Sequence, residues 1–200
     1  MRILDLGAGT GVVGMLVAAR FPLVQVDLLE MDKGALSDLK NSIPELPFAD
    51  RIRLLEEDLF QWQADAPYDL VLSNPPYFMG ALPATEQGRQ RARHTTTGGL
   101  QKWMQTGLSC LRPGGKLAVI LPADTKLYLP GWSLAQKCLV FSKPKGKAER
   151  QLLSFERSGS GKRIKSKIIL RDENGDRHDD YRALMGEHLY LDGLPKKPSQ

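Results

Sequence analysis

The stretch Asp5-Leu6-Gly7-Ala8-Gly9-Thr10-Gly11 decides how the chain begins to fold. It closes a short apolar run, residues 3–6, that predicts a strand, and it opens a helical stretch over residues 11–20. Glycines at alternate positions allow a tight turn and let bare backbone approach a ligand. The pattern is weak by itself and differs from the dinucleotide-binding motif G-x-G-x-x-G in its last spacing. It predicts a strand, a ligand-binding turn and a helix.

Short apolar strands alternate with helical stretches over the first two-thirds of the chain. This alternation predicts an α/β fold with a mostly parallel sheet covered by helices on both faces. The predicted strands are residues 3–6, 24–29, 51–55, 69–73, 116–121, 138–142, 152–156 and 167–170. Helices are expected at 11–20, 32–41, 97–111 and 180–191, with a short one between Gly131 and the strand at 138.

Composition narrows the class of protein. The chain has 200 residues, of which 42% are apolar and 26% charged, as expected for one soluble globular domain. No stretch reaches the roughly eighteen apolar residues of a membrane helix, and we expect no removable leader. Cys110 and Cys138 lack the spacing of a zinc site, and the three histidines are scattered. We therefore expect a cytoplasmic monomer with free thiols, no metal and no membrane contact.

Positive charge is concentrated between Lys143 and Lys167. This block holds nine basic residues, Lys143, Lys145, Lys147, Arg150, Arg157, Lys162, Arg163, Lys165 and Lys167, against two acidic ones. A basic block on a nearly neutral body suits a surface that binds phosphates. A solvated loop kept soluble by lysines explains the composition equally well, so both interpretations stay open.

Two acidic residues follow the second and third predicted strands. Glu30 comes 19 residues after Gly11, where a carboxylate can accept the ribose hydroxyls of an adenosine. Asp58 can accept the adenine amino group of the same ligand. Either acid alone could be a loop residue or a helix cap. Their placement at successive strand ends, where ligands of such sheets bind, favours a nucleoside site.

The fourth predicted strand ends in Asn74-Pro75-Pro76-Tyr77. Two consecutive prolines fix φ and lack N–H groups, so the strand must stop there. The Asn74 amide oxygen and the Pro75 carbonyl can then accept both hydrogens of an –NH2 group, while the Tyr77 ring stacks on a flat substrate. The alternative is a strand that merely ends at prolines. The four residues predict a catalytic site for an amino or amide nitrogen.

Together these elements resemble the class I S-adenosylmethionine-dependent methyltransferases. The resemblance includes the glycine loop, both acids, the Asn74 motif and Leu111-Arg112-Pro113-Gly114-Gly115 before the fifth strand. It implies a Rossmann-like, doubly wound, mostly parallel sheet of seven strands, with S-adenosyl-L-methionine as cofactor. The residues that it implies for the cofactor are Asp5, Gly7, Gly9, Gly11, Glu30, Asp58 and Asn74.

The substrate nitrogen could belong to adenine or to a protein glutamine, because both kinds of enzyme carry this motif. The segment from Arg89 to Thr97 resembles a loop of bacterial tRNA(Val) (adenine-N6)-methyltransferases, as do 168–172, Gly175 and 181–184. This resemblance implies a tRNA substrate methylated next to the anticodon. The residues expected to contact RNA are Phe78, Arg89, Arg91, Arg93, Lys143, Lys145 and Lys147. The arginines could instead form a charged helix face, and methylation of glutamine in a release factor remains the alternative.

The expected organisation is a methyltransferase core over residues 1–156, a C-terminal strand and helix over 157–194, and a loose tail over 195–200. Members of that family carry a further segment before the glycine loop, whereas four residues precede Asp5 here. A third possibility is therefore a module that binds cofactor or RNA without catalysis.

Overall fold

A single sheet organises the part of the chain that the computed structural model describes, residues 1–76, 97–157 and 164–185. Its strands are β1 Arg2–Leu6, β2 Gln25–Glu30, β3 Ile52–Glu56, β4 Tyr68–Ser73, β5 Leu111–Pro122, β6 Trp132–Phe141, β7 Arg150–Arg157 and β8 Ile164–Ile169. The strand order is β3-β2-β1-β4-β5-β7-β6-β8. Strands β1 to β5 are mutually parallel, β7 is antiparallel to both of its neighbours, and β8 is parallel to β6. The predicted mostly parallel α/β fold is confirmed.

The strand count differs from the expected seven. The eighth strand, β8, pairs with β6 from Gln136↔Ile164 to Phe141↔Ile169 and forms the edge of the sheet. The C-terminal strand expected beside the core thus extends the core sheet itself.

Helices cover both faces of the sheet. They are α1 Val12–Arg20, α2 Lys33–Ser42, α3 Thr97–Ser109 and α4 Asp179–Met185, with 3-10 turns at Ile43–Glu45 and Ala49–Arg51. Asp32 caps α2 as the sequence predicts, because its Oδ1 accepts hydrogen bonds of 3.0 Å from the N–H groups of Gly34 and Ala35.

Alternation along the strands divides the core in two. Leu4 and Leu6 of β1 join the cluster that contains Met104 of α3, whereas Ile3 joins the cluster that contains Ala18 of α1 and Leu39 of α2. The sheet is therefore buried on both faces at β1, as expected of parallel strands in a layered α/β fold.

The segment between β5 and β6 departs from the prediction. The short helix expected after Gly131 is wrong, because β6 begins directly at Trp132. Gly131 turns the chain with φ +77°, and residues 132–141 then gain ladder partners from both β7 and β8. These long-range pairings override the local helical pattern. The predicted helix over 180–191 is described as far as Met185, and the predicted tail over 195–200 lies outside the described residues.

A charged cluster lies at the amino end of the sheet. Asp27, 4% exposed, accepts hydrogen bonds from Arg2, Arg53 and the Tyr68 hydroxyl at 2.6 to 3.0 Å. Burial and the bond to Asp27 raise the pKa of Tyr68 well above its usual value. A neighbouring cavity of about 560 Å³ is lined by charged side chains, including Asp27, Arg2 and Arg53. This end is opposite to the carboxyl ends of the strands, where ligands of such sheets bind. Among the described residues, no helix is long and apolar enough to cross a membrane.

Candidate active site

The glycine loop lies at the carboxyl ends of β1 and β2. The N–H groups of Gly7 and Ala8 both donate to the Leu29 carbonyl at 3.0 Å, which ties the loop to β2. Gly7 has φ +72°, and a Cβ there would lie 2.3 Å from Cζ2 of Trp103. Gly9 has φ +57°, but a Cβ there would meet no atom within 4 Å. The loop is thus packed against Trp103 at Gly7 and open at Gly9, where a ligand can approach the backbone.

Asp5 of β1 is hydrogen-bonded to the start of α1, which follows this loop. Its side chain is 2% exposed, and its Oδ2 accepts a 2.8 Å hydrogen bond from the N–H of Gly14 in the first turn of α1. Burial raises the pKa of Asp5 to about 6, partly offset by that hydrogen bond, and nearby Glu30 raises it further. Asp5 therefore fixes the start of α1 relative to β1 instead of facing the open side of the loop.

Glu30 connects the loop to the end of β2. Its Oε2 accepts a 2.8 Å hydrogen bond from Gly9, while Oε1 accepts from Met31 and Asp32 at 2.8 and 2.7 Å. A carboxylate offers about four acceptor positions, and these backbone N–H groups occupy three of them. Glu30 can therefore accept one ribose hydroxyl directly, and a second would have to replace one of the backbone donors.

Asp58 shapes the turn that follows β3. Its Oδ1 accepts from the N–H of Phe60 at 2.9 Å, as in an Asx turn, and its Oδ2 has a longer contact of 3.3 Å to Gln61 Nε2. The Phe60 ring meets Trp103 edge to face, with centroids 6.2 Å apart. Asp58 Oδ2 thus retains capacity for an amino group beside an aromatic surface.

The predicted catalytic motif begins where β4 ends. β4 stops at Ser73, after which Asn74 and Pro76 are exposed and Pro75 is buried. β1 and β4 are parallel neighbours with Asp5 beside Leu72. The glycine loop and Asn74 therefore leave the sheet side by side.

Ser73 and Trp103 hold this junction together, and sequence reasoning missed both. The Ser73 hydroxyl donates to the Leu6 carbonyl at 2.9 Å and accepts from the Trp103 indole Nε1–H at 3.0 Å. The hydroxyl residue immediately before Asn74 is a sequence signal that could have identified Ser73. Its partner Trp103 lies 30 residues later on α3, and no sequence signal indicated their contact.

The remaining predicted residues are distributed differently. Tyr77, Phe78, Arg89, Arg91 and Arg93 lie outside the described residues. The lysines at 143, 145 and 147 are exposed on the loop that joins β6 to β7, which lies at the same edge of the sheet as Asn74 but three strand positions from β4. Lys145 Nζ is 3.4 Å from the Glu173 carboxylate.

The carboxyl edge fits the cofactor that the sequence implies. The glycine turn is open and can hold the amino acid part of S-adenosylmethionine. The acids after β2 and β3 each have a free acceptor position and can hold its ribose and adenine parts. The described residues contain no cluster of His, Cys, Asp and Glu that could hold a metal ion.

Comparison with known proteins identifies the family. Residues 1–128 match the family described as the methyltransferase small domain. A tRNA1(Val) (adenine(37)-N6)-methyltransferase from Tolumonas auensis is 34% identical over 95% of this chain and 82% of its own length. One from Serratia proteamaculans is 30% identical over 95% and 76%.

Solved structures agree on the fold. A predicted O-methyltransferase from Agrobacterium tumefaciens has a TM-score of 0.65, with 24% identity over 89% of this chain and 85% of its own. The chain therefore belongs to the methyltransferase small domain family, and the curated relatives it resembles over most of their length are tRNA1(Val) (adenine(37)-N6)-methyltransferases.

Proposed function

We propose that this protein transfers a methyl group from S-adenosylmethionine to N6 of an adenine in tRNA, at the position next to the anticodon. The observation that carries the proposal is the position of Asn74 and Pro75, directly after β4 and beside the glycine loop. Curated relatives that match most of this chain are named for this reaction. We also propose that the protein works as a cytoplasmic monomer.

Asn74 and Pro75 orient the substrate nitrogen. Its lone pair is delocalised into the adenine ring, which makes the amino group a poor nucleophile. The Asn74 amide oxygen and the Pro75 carbonyl accept its two hydrogens, so that the lone pair can turn out of the ring plane. Pro75 is buried, its ring fixes φ, and the following Pro76 restricts ψ, so that the direction of the Pro75 carbonyl is restricted.

S-adenosylmethionine supplies a methyl group already activated by a positively charged sulfur. The protein's contribution is consequently alignment, which can be worth about 7–11 kcal/mol in well-oriented reactions. The methylated nitrogen is acidic, so a strong base is not required. Glu30, Asp58 and the glycine loop hold the cofactor, while the Ser73–Trp103 hydrogen bond fixes Asn74 relative to that loop.

Aromatic and basic residues complete the proposed RNA site. Tyr77 and Phe78 stack on the extruded base, which is worth about 1–3 kcal/mol per base. Basic residues neutralise phosphates around it, namely Arg89, Arg91, Arg93, Lys143, Lys145 and Lys147. An anticodon loop suits such a site because its bases are unpaired and easily splayed out.

The experiment is incubation with labelled S-adenosylmethionine and unmodified total tRNA, followed by digestion and identification of the labelled nucleoside. Label in N6-methyladenosine supports the proposal. A release factor is offered as substrate in a parallel reaction. Label in its glutamine would replace the proposal with the protein-methylating alternative. Cofactor binding without label in either substrate would support a binding module.

A further inference from the structure

One lateral row of side chains connects Ser73 to the far edge of the sheet. The strand registers pair Ser73 with Val119, Val119 with Leu153, Leu153 with Lys137 and Lys137 with Lys165. Residues paired in register project to the same face of a sheet. Lys137 and Lys165 therefore lie on the face that α3 covers near the active site.

The next row toward the carboxyl edge ends in a third lysine. It pairs Leu121 with Gln151, Gln151 with Leu139 and Leu139 with Lys167. Lys165 and Lys167 are exposed and two residues apart on one strand, about 6.6 Å along its axis. Lys137, Lys165 and Lys167 form a compact group, here called the lysine strip.

No opposite charge compensates the lysine strip within the described residues. None of its three lysines has an ion pair there, although Lys137 and Lys165 are direct cross-strand neighbours. The one carboxylate on β6, β7 and β8 is Glu156, which pairs with Lys116 on the opposite face. Like charges side by side are unfavourable unless an anion joins them.

We propose that the lysine strip binds the phosphate backbone of the RNA substrate at a distance from the reacting base. This inference rests on the proposed function. β8 is four strand positions from β4, so Lys165 lies about 19 Å across the sheet from Ser73. At this distance the strip would contact phosphates that are more than one nucleotide away from the flipped base.

The strip also divides the basic block that the sequence showed as one unit. Lys143, Lys145 and Lys147 leave β6 at the carboxyl edge, whereas Arg157 lies at the other end of β7 and contacts the Trp132 ring. The strip contains Lys165 and Lys167 of this block, whereas Arg157 lies outside the strip, near the amino end of the sheet.

The test compares two double variants that remove the same charge. Lys165→Gln/Lys167→Gln removes the strip's exposed lysines, and Lys40→Gln/Lys116→Gln removes two exposed lysines that each lie beside a carboxylate, Glu56 or Glu156. The dissociation constant for unmodified tRNA is measured by fluorescence anisotropy over a series of salt concentrations, alongside kcat at saturating tRNA.

For the strip variant we expect weaker tRNA binding and a weaker dependence of binding on salt. The slope of log Kd plotted against log salt concentration should be shallower by about 1.4–1.8, because each lost phosphate contact lowers the slope by about 0.7–0.9. Its kcat at saturation should equal that of the wild type, because the strip is remote from Asn74. The control should keep the wild-type slope.

Three results would overturn the proposal or its foundation, and they are distinguishable. A strip variant with the wild-type slope, in a protein that methylates tRNA, contradicts the strip alone. Self-association of that variant with unchanged tRNA affinity would show that the lysines merely protect an edge strand from pairing. A wild type that neither binds nor methylates tRNA contradicts the proposed function itself.

Discussion

The Oε2 atom of Glu30 accepts a 2.8 Å hydrogen bond from the N–H of Gly9, which joins the acid after β2 to the glycine loop after β1. This hydrogen bond fixes the distance between the two elements of the proposed cofactor site. The same carboxylate accepts two N–H groups at the start of the α2 segment. Glu30 is consequently the anchor of the loop, in addition to the ligand-binding role proposed for it.

Glu30→Gln should weaken cofactor binding. An amide has one acceptor oxygen, so its –NH2 group must face either Gly9 or the two backbone donors at Met31 and Asp32. The amide also lacks the charged acceptor proposed for a ribose hydroxyl, and a hydrogen bond to a charged group is worth about 1.5–3 kcal/mol, or roughly 10- to 150-fold in the dissociation constant. Calorimetric titration with S-adenosylmethionine measures it. Glu56→Gln is the control, because Glu56 is an exposed acid at the end of β3; equal affinities in the two variants would contradict the role of Glu30.

Asp5 should make stability depend on pH in a defined direction. Its pKa of about 6 in the folded protein exceeds the ordinary value of 3.8, so folding favours the protonated form. That stabilisation is complete below about pH 4 and is lost as the pH rises through about 6. The Asp5→Asn side chain cannot titrate. The free energy of unfolding of this variant, relative to that of the wild type, should therefore rise by about 2–3 kcal/mol between pH 4 and 7. Urea unfolding at each pH measures the difference.

Asp65→Asn serves as the control with the opposite sign. Hydrogen bonds from Arg53 and Arg2 hold the pKa of Asp65 below its usual range, so its contribution is present at neutral pH and lost in acid. The difference in unfolding free energy between the wild type and Asp5→Asn should fall as the pH rises. A difference that does not fall would show that burial does not destabilise the ionised form of Asp5.

Gly7→Ala should be more destabilising than Gly131→Ala. Both glycines have positive φ, +72° and +77°, which costs an alanine about 1–2 kcal/mol at either position. At Gly7 the new Cβ would also lie 2.3 Å from Trp103, whereas at Gly131 it would meet nothing within 4 Å. The difference between the two changes in unfolding free energy should reach about 1–3 kcal/mol, the usual cost of overpacking. Equal losses would mean that Trp103 does not pack on the loop.

Ser73→Ala should lower kcat more than it raises KM for tRNA. The change removes the acceptor of the Trp103 indole and the donor to Leu6, and it frees the residue immediately before Asn74. A small displacement of a positioning group can reduce the rate about 10- to 100-fold. Ser42→Ala removes a comparable hydroxyl at the end of α2, where Oγ donates to the Asp38 carbonyl. Steady-state kinetics on both variants checks this, and a loss confined to KM would count against the positioning role.

The sequence predicted those features that are encoded locally. Strands β1 to β5 each contain a short apolar segment, the Asp32 cap precedes its helix, and the glycine loop and Asn74 each follow a strand directly. Because the carboxyl ends of parallel strands meet at one edge, these residues could be placed together without coordinates.

Features set by contacts between distant residues could not be predicted in the same way. Residues 132–141 have a weak local pattern and become a strand because β7 and β8 pair with them. The Ser73–Trp103 bond joins residues 30 positions apart. The basic block appears continuous in sequence, yet the chain reverses direction between β6 and β7 and again between β7 and β8, which sends members of the block to different ends of the sheet.

The most direct test of the central claim is the single-turnover rate of tRNA methylation by Asn74→Ala, measured beside its affinity for S-adenosylmethionine. Asn41→Ala, at an exposed asparagine of α2, is the matched control. If Asn74 orients the adenine amino group, the rate should fall at least about 100-fold, while cofactor affinity and the control stay near wild type. An Asn74→Ala protein that forms N6-methyladenosine at the wild-type rate would contradict the account.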